Sequence, residues 1–197
     1  MLVLASASPR RQELLRNAGI AFVAHPTDIP EVPHPGEAPR VFAERMAREK
    51  ALAVFQQRPH DTILGADTVV VVEKQILGKP NDQADAARML RLLSGRSHIV
   101  ITGVCLTGSL QSETGNHRLE TCFQDVRSET TLVTMDPLTD EDIRSYIATE
   151  EPMDKAGAYA IQGVASRWIS RIEGDYFNVV GLPVALVWRM LREHGRV

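Results

Sequence analysis

The segment at residues 61–73 constrains the fold more strongly than any other part of the chain. Two apolar, β-branched runs, Thr62-Ile63-Leu64 and Val69-Val70-Val71-Val72, flank the sequence Gly65-Ala66-Asp67-Thr68. Such runs predict a buried strand, or two buried strands in line. Asp67 lies inside this segment, where an unpaired buried carboxylate would cost several kcal/mol. We therefore expect Asp67 to be paired, bound to a metal ion or lining an open site.

The amino terminus predicts a short strand, a tight turn and the start of a helix. Residues 2–5 are apolar, Ser8 can cap a helix, and Pro9 suits the first helical position. The free N–H groups of such a turn, two hydroxyl groups and Arg10-Arg11 can together bind an anionic group. The alternative is an ordinary capped helix with two solvated arginines. This stretch alone is compatible with both interpretations.

A proline-rich loop and a helix follow. The loop at residues 26–39 contains five prolines and Glu31, and the helix is predicted over about residues 37–57. Lys50 lies one turn from both Met46 and Val54, so its side chain projects close to the apolar face. It either extends its ammonium group to solvent or points into a functional site.

The later sequence predicts further strands and helices, with antiparallel strands towards the end. The predicted ranges are a hairpin-like connection at 75–80, a helix at 82–93, a strand at 98–106, turn residues at 108–115, return strands at 119–126 and 130–134, a helix at 139–148, a hairpin from strands at 168–172 and 176–180, and a final helix after 181–183. The small residues among polar ones at 154–163 are typical of a loop that lets a ligand approach the backbone. The pattern predicts an α/β fold with a mixed sheet flanked by helices.

Composition narrows the class of protein. The chain has 197 residues, which suits a single domain over residues 1–197. The net charge of −3 argues against general nucleic-acid binding. Cys105 and Cys122 lack metal-ligand spacing, and we expect buried or strand thiols. We find no signal sequence or membrane-spanning run and expect a cytoplasmic protein without a membrane partner.

Several polar and charged residues together are typical of polyphosphate hydrolysis. The candidates are Ser6, Arg10, Arg11, Glu31, Lys50, Asp67, Thr68, Lys79, His98, Asp154, Lys155 and Gln162. Cationic groups and turn N–H groups neutralise phosphoryl oxygens, and carboxylates hold a divalent cation. A carboxylate near the scissile phosphate can also accept a proton from the attacking water.

The ordered motifs resemble those of the Maf family of nucleoside triphosphate pyrophosphatases. They are Leu-Ala-Ser-x-Ser-Pro-Arg-Arg at 4–11, Gly-Ala-Asp-Thr at 65–68, Gly-Lys-Pro at 78–80, Ser-Gly-x-x-His at 94–98 and Gly-Leu-Pro at 181–183. The run at 154–163, Asp-Lys-Ala-Gly-Ala-Tyr-x-Ile-Gln-Gly, resembles the branch that acts on dTTP and UTP. The alternatives are the branch that acts on 7-methyl-GTP and a nucleotide-binding regulator of septum formation.

The resemblance implies a reaction, a fold and partners. It implies cleavage of the α–β phosphoanhydride of a nucleoside triphosphate to the monophosphate and pyrophosphate, with a divalent metal cation, Mg²⁺ or Mn²⁺. It implies an elongated, two-lobed α/β domain with a central cleft, similar to the inosine-triphosphatase fold, and a homodimer.

The resemblance also implies residue roles. Asp67 is the expected proton acceptor, and Glu31 and Asp67 are the expected metal ligands. The positions associated with base preference are Arg10, Thr68 and Gln162. The expected phosphate- and substrate-binding residues are Ser6, Lys50 and Lys79. Two departures from the family pattern concern the loop at Glu31, where relatives tend to have acidic residues directly after the isoleucine, and the ribbon at 108–137, which is longer than usual.

Overall fold

The computed structural model describes residues 1–114 and 117–196, with side chains at 1–109 and 122–196. The strands are β1 (Leu2–Leu4), β2 (Val23–Ala24), β3 (Thr62–Val72), β4 (Gln75–Leu77), β5 (Ser97–Thr114), β6 (His117–Met135) and β7 (Ile169–Glu173). The helices are α1 (Pro9–Asn17), α2 (Pro39–Phe55), α3 (Gln83–Leu93), α4 (Asp140–Ile147), α5 (Tyr176–Val180) and α6 (Val184–Glu193). Each helix in the described ranges is too short or too polar to cross a membrane.

The strands form one mixed sheet in the order β2-β1-β3-β5-β6-β7, with β4 paired to β3. Strand β1 is parallel to β2, where Val3 pairs with Val23, and to β3, where Leu2 pairs with Thr62. Helices α1 and α2 make the crossovers that these parallel pairs require. Strand β4 is antiparallel to β3, and β7 is antiparallel to β6. The predicted α/β class with a mixed sheet is confirmed.

The chain divides into two compact units. The first contains Met1–Asp67, Thr102–Ser128 and the C-terminal segment from Gly181, and the second contains Thr68–Ile101 and Glu129–Val180. In the first unit, α2 packs on the sheet through a fully buried cluster that includes Val3, Ala47, Ala51, Ile63 and Cys105. In the second unit, α3 packs against α4, and the core there includes Leu90, Leu93, Ile143 and Tyr146.

The predicted turn at 108–115 is wrong over its described part. Strand β5 continues through residue 114, while Gly115 lies outside the described residues. Gly108 lets the ring of Phe123 approach the backbone closely, because a Cβ atom at this position would lie 3.0 Å from that ring. The two predicted return strands are likewise one long strand, β6. Cys105 is buried in β5 and Cys122 is exposed in β6, both as free thiols.

The predicted strand at 176–180 is also wrong, because these residues form helix α5. Asp175 provides the reason, since its carboxylate accepts hydrogen bonds from the backbone N–H of Phe177 at 2.7 Å and of Asn178 at 3.4 Å. A side chain that accepts from the second and third residues after it caps a helix start. The apolar composition of the segment favoured a strand, and this local cap favours a helix.

Candidate active site

Helix α2 carries Lys50 into the interior of the first unit. Lys50 follows Met46 and precedes Val54 on one buried face, and it is only 7% exposed. Gly65 brings β3 close to this helix, because a Cβ atom there would lie 2.2 Å from the carbonyl oxygen of Ala47. Gly65, two residues before Asp67, therefore lets β3 and α2 pack closely, with Asp67 on the strand and Lys50 on the helix.

The ammonium group of Lys50 binds two carboxylates. Its Nζ atom donates to Oδ1 of Asp67 at 2.6 Å and to Oε1 of Glu31 at 2.5 Å. Asp67 is 4% exposed, whereas Glu31 lies on the proline-rich loop and remains open to solvent. Burial raises the pKa of the Asp67 carboxyl group, Lys50 and Arg11 oppose this change, and Glu31 adds to it. The structure thus brings three of the sequence candidates into direct contact.

Arg45 anchors the loop that carries Glu31, a role that the sequence did not reveal. Its guanidinium group donates to both carboxylate oxygens of Glu37 at 2.7 Å and to the carbonyl oxygen of Val32 at 3.0 Å. This bidentate pair lowers the pKa of Glu37 to about 2. The one available sequence signal was Glu49, four residues after Arg45 on the same helix. Its carboxylate accepts a further hydrogen bond from Arg45.

Arg11, to which the family resemblance assigns no role, belongs to the same charged cluster. It donates from Nη1 to the Ser6 hydroxyl at 3.2 Å and from Nε to the carbonyl oxygen of Gly181 at 2.8 Å. Loss of hydration lowers its pKa, while Asp67 and Glu31 raise it. Arginine stays protonated under these influences. Arg11 is therefore a second fixed cation close to the two carboxylates.

The turn before α1 is built as the sequence predicts. Ser8 caps the helix, with its hydroxyl accepting from the N–H of Arg11 at 3.5 Å. Ser6 is buried, and its hydroxyl accepts from the N–H of Ser8 at 3.2 Å as well as from Arg11. Because both contacts use the oxygen as an acceptor, the Ser6 hydroxyl keeps a proton of its own to donate. Arg10 is partly buried and close enough to lower the pKa of Arg11.

Three other candidates, Thr68, Lys79 and Gln162, belong to the second unit. Lys79 and Gln162 are exposed, and Thr68 is partly buried next to Asp67 on β3. Gly157 connects their segments, since its N–H donates to the carbonyl oxygen of Gly78 at 3.0 Å and a Cβ atom there would lie 3.0 Å from Val70. Its φ of +69° also favours glycine. The segments at 78–80 and 154–163 are thus neighbours within this unit, and Val70 of β3 lies against Gly157.

Lys155 and His98 have partners within the second unit. Lys155 binds the carboxylate of Asp154 and the carbonyl oxygen of Glu151, contacts that stabilise the local turn. His98 is 2% exposed, and its Nε2 atom lies 2.7 Å from the hydroxyl of Tyr159. The two rings also meet edge to face. Both side chains have structural roles in these contacts.

His98 predicts a pH dependence of stability. Burial lowers its pKa to about 4, from an ordinary value of 6.5. The unfolded chain therefore takes up this proton first, and stability falls as the pH falls from about 6.5 towards 4. At about 1.4 kcal/mol per pKa unit, the loss reaches roughly 3 kcal/mol. Urea unfolding across this pH range should show a steeper decline for the parent protein than for His98→Gln. Parallel curves for the two proteins would contradict the assignment.

Glu31 and Asp67 form a donor set that fits a hard divalent cation. Their oxygens already converge on one positive centre, the Lys50 ammonium group. Magnesium commonly uses one or two carboxylates and completes its shell with water and substrate phosphates. Within the described residues, no group of three or more His, Cys, Asp or Glu side chains is placed to hold a metal ion. A cation bound by these two carboxylates would therefore take its remaining ligands from water or from phosphate oxygens.

Comparisons with known proteins identify the family of this chain. The family described as Maf-like protein matches residues 1–194. A dTTP/UTP pyrophosphatase of Koribacter versatilis is 54% identical over 194 residues, covering 98% of this chain and 94% of the relative. The proteins of the same name from Syntrophomonas wolfei and Geobacter sulfurreducens are each 50% identical, covering 98% of this chain and 96% of each relative. Given this full-length similarity, the chain belongs to the Maf-like protein family.

Proposed function

We propose that this protein is a nucleoside triphosphate pyrophosphatase that hydrolyses dTTP and UTP to the monophosphate and pyrophosphate. The observation that carries the proposal is the buried contact of Asp67 with Lys50, which Glu31 shares. A buried carboxylate held beside fixed cations is an arrangement suited to proton transfer next to a polyphosphate. The names of the relatives supply the nucleotide class.

Asp67 acts as the general base in the proposed reaction. A water molecule attacks one of the two phosphorus atoms that flank the α–β bridging oxygen, and its proton passes to the Asp67 carboxylate. The bond between that phosphorus and the bridging oxygen breaks, which yields the nucleoside monophosphate and pyrophosphate. The raised pKa of Asp67 makes its carboxylate a better proton acceptor than an exposed aspartate.

Cationic and hydroxyl groups bind the phosphates in this proposal. Lys50 and Arg11 lie beside the carboxylates and offset the negative charge of the phosphoryl oxygens. The Ser6 hydroxyl donates a hydrogen bond to a phosphate oxygen, and the Lys79 ammonium group also binds the substrate. A divalent cation, Mg²⁺ or Mn²⁺, held by Glu31 and Asp67 would supply charge neutralisation at the phosphates when bound.

Arg10, Thr68 and Gln162 select the base in this proposal. The support is the match of their positions to the family motifs, together with the solvent exposure of Gln162. We further propose that residues 1–197 act as one catalytic domain, that the partner is a second copy of this chain, and that the enzyme works in the cytoplasm, where nucleoside triphosphates are available.

A nucleotide panel tests the proposal. Initial rates with dTTP, UTP, CTP, GTP and 7-methyl-GTP should be measured with Mg²⁺ or Mn²⁺, using pyrophosphate release as the signal. We expect kcat/KM for dTTP and UTP to exceed that for the other nucleotides by at least about tenfold, the factor that one or two specific hydrogen bonds supply. A preference for 7-methyl-GTP would contradict the assignment of substrate, and a lack of turnover would favour a regulatory nucleotide-binding protein.

A further inference from the structure

Gln162 lies in a tight turn that is closed by a backbone hydrogen bond. The N–H of Gly163 donates to the carbonyl oxygen of Ala160 at 3.0 Å, so Ile161 and Gln162 are the two central residues. Ile161 is buried and Gln162 is exposed. A turn with one buried central residue presents the other in a fixed direction, provided that both of its ends are held.

Both ends of this turn are held by the side chains of Tyr146 and Glu151. The N–H of Ala160 donates to the Tyr146 hydroxyl at 3.1 Å. The N–H of Val164 donates to both carboxylate oxygens of Glu151, at 3.1 and 3.2 Å. The Tyr146 hydroxyl in turn donates to Oε1 of Glu151 at 2.7 Å. One chain of hydrogen bonds therefore connects the residue that opens the turn to the residue that follows it.

The two side chains are themselves rigidly placed. Tyr146 is 1% exposed on α4, and its ring meets the Trp168 ring edge to face at a centroid distance of 5.6 Å. The Glu151 carboxylate lies directly against Gly163, where a Cβ atom would come within 2.3 Å of Oε1. Hydrogen bonds to an ionised acceptor are stronger than those between neutral groups. Glutamine at position 151 would replace one of these acceptor oxygens with a donor.

We propose that Glu151 and Tyr146 are positioning residues that fix the direction of Gln162 and thereby determine the base selectivity of the enzyme. This inference rests on the proposed function, in which Gln162 contacts the base. Glu151 and Tyr146 do not touch the substrate in this account. They act through the backbone of the turn. Loosening this turn lowers the discrimination between bases more than it lowers the rate of phosphate cleavage.

The test is the ratio of kcat/KM for dTTP to kcat/KM for dCTP, because these nucleotides share sugar and phosphates and differ in the base. We expect Glu151→Gln and Tyr146→Phe each to lower the ratio by about fivefold to tenfold, as expected for one weakened hydrogen bond. In a Gln162→Ala background, Glu151→Gln should change the ratio by less than about twofold, since the two substitutions act on one contact. The exposed neighbour Glu150 provides a matched control, and Glu150→Gln should leave the ratio within about twofold of the parent value.

The outcomes separate this inference from the proposed function. If Gln162→Ala lowers the ratio but Glu151→Gln and Tyr146→Phe leave it unchanged, the positioning role is overturned and the base contact stands. An equal loss of kcat/KM for both nucleotides would indicate a merely structural role and would also overturn it. An unchanged ratio in Gln162→Ala would overturn the base contact and this inference together. Tyr146→Phe, which keeps the packed ring, decides the matter if Glu151→Gln fails to fold.

Discussion

Replacing Asp67 with asparagine should lower kcat for dTTP by about 100-fold or more, the usual contribution of a general base. Asparagine has nearly the same shape as aspartate, but its amide cannot accept the proton of the attacking water. Burial raises the pKa of the Asp67 carboxyl group, so keeping it ionised at neutral pH lowers the free energy of unfolding. The substitution removes this cost. Lys50 keeps Glu31 as a partner in this variant, so we expect its unfolding temperature to fall by less than that of Lys50→Met.

The control for this variant is Asp61→Asn. Asp61 lies just before the same strand, but it pairs with the N-terminal amine and with Arg58 rather than with the charged cluster. The kcat of Asp61→Asn should remain within about twofold of the parent value, because loss of an ion pair away from the charged cluster has a small effect. Steady-state kinetics gives kcat for the two variants, and thermal unfolding shows whether each is folded. A kcat for Asp67→Asn close to that of Asp61→Asn would remove Asp67 from the role of base.

Replacing Lys50 with methionine should lower kcat/KM for dTTP by roughly 100-fold, since one preorganised charge at a reacting phosphate contributes on this order. Methionine retains the length of the side chain and its contacts along the buried face of α2. Without the ammonium group, Asp67 and Glu31 lose the cation that they share. Breaking one partner of a buried ion pair costs up to about 3–5 kcal/mol of stability.

A double variant distinguishes the two effects of Lys50. Because Lys50→Met/Asp67→Asn removes the uncompensated carboxylate, it should recover much of the thermal stability that Lys50→Met loses, without recovering activity. The exposed Lys74 in the turn between β3 and β4 supplies the control, since Lys74→Met should keep kcat/KM within about twofold of the parent value. A double variant no more stable than Lys50→Met would contradict the paired arrangement of these side chains.

Local sequence patterns were sufficient to predict the main elements around the cluster. The β-branched runs predicted β3. The cost of burying Asp67 predicted that it is paired, bound to a metal ion or lining an open site, and the structure shows a pair with Lys50. The spacing of Lys50 from Met46 and Val54 placed it at the buried face of α2. In each case a regular repeat or a single large energetic cost determined the outcome.

Contacts between distant residues could not be predicted in the same way. Arg11 binds the carbonyl oxygen of Gly181, which lies 170 positions later in the chain. Arg45 holds the loop of Glu31 through a pair with Glu37 that no helix repeat indicates. Gly108 looked like a turn residue, although its role depends on the ring of Phe123 on another strand. Such contacts depend on tertiary packing, which a local pattern does not contain.

The product distribution from dTTP tests the central claim most directly. Phosphorus NMR of the reaction should show dTMP and pyrophosphate formed in equal amounts from the first turnovers, and Asp67→Asn should slow both products equally. Equal formation follows from cleavage of a single bond between the α and β phosphates. Formation of dTDP and inorganic phosphate would contradict this account, because it would place the attacked bond at the terminal phosphate.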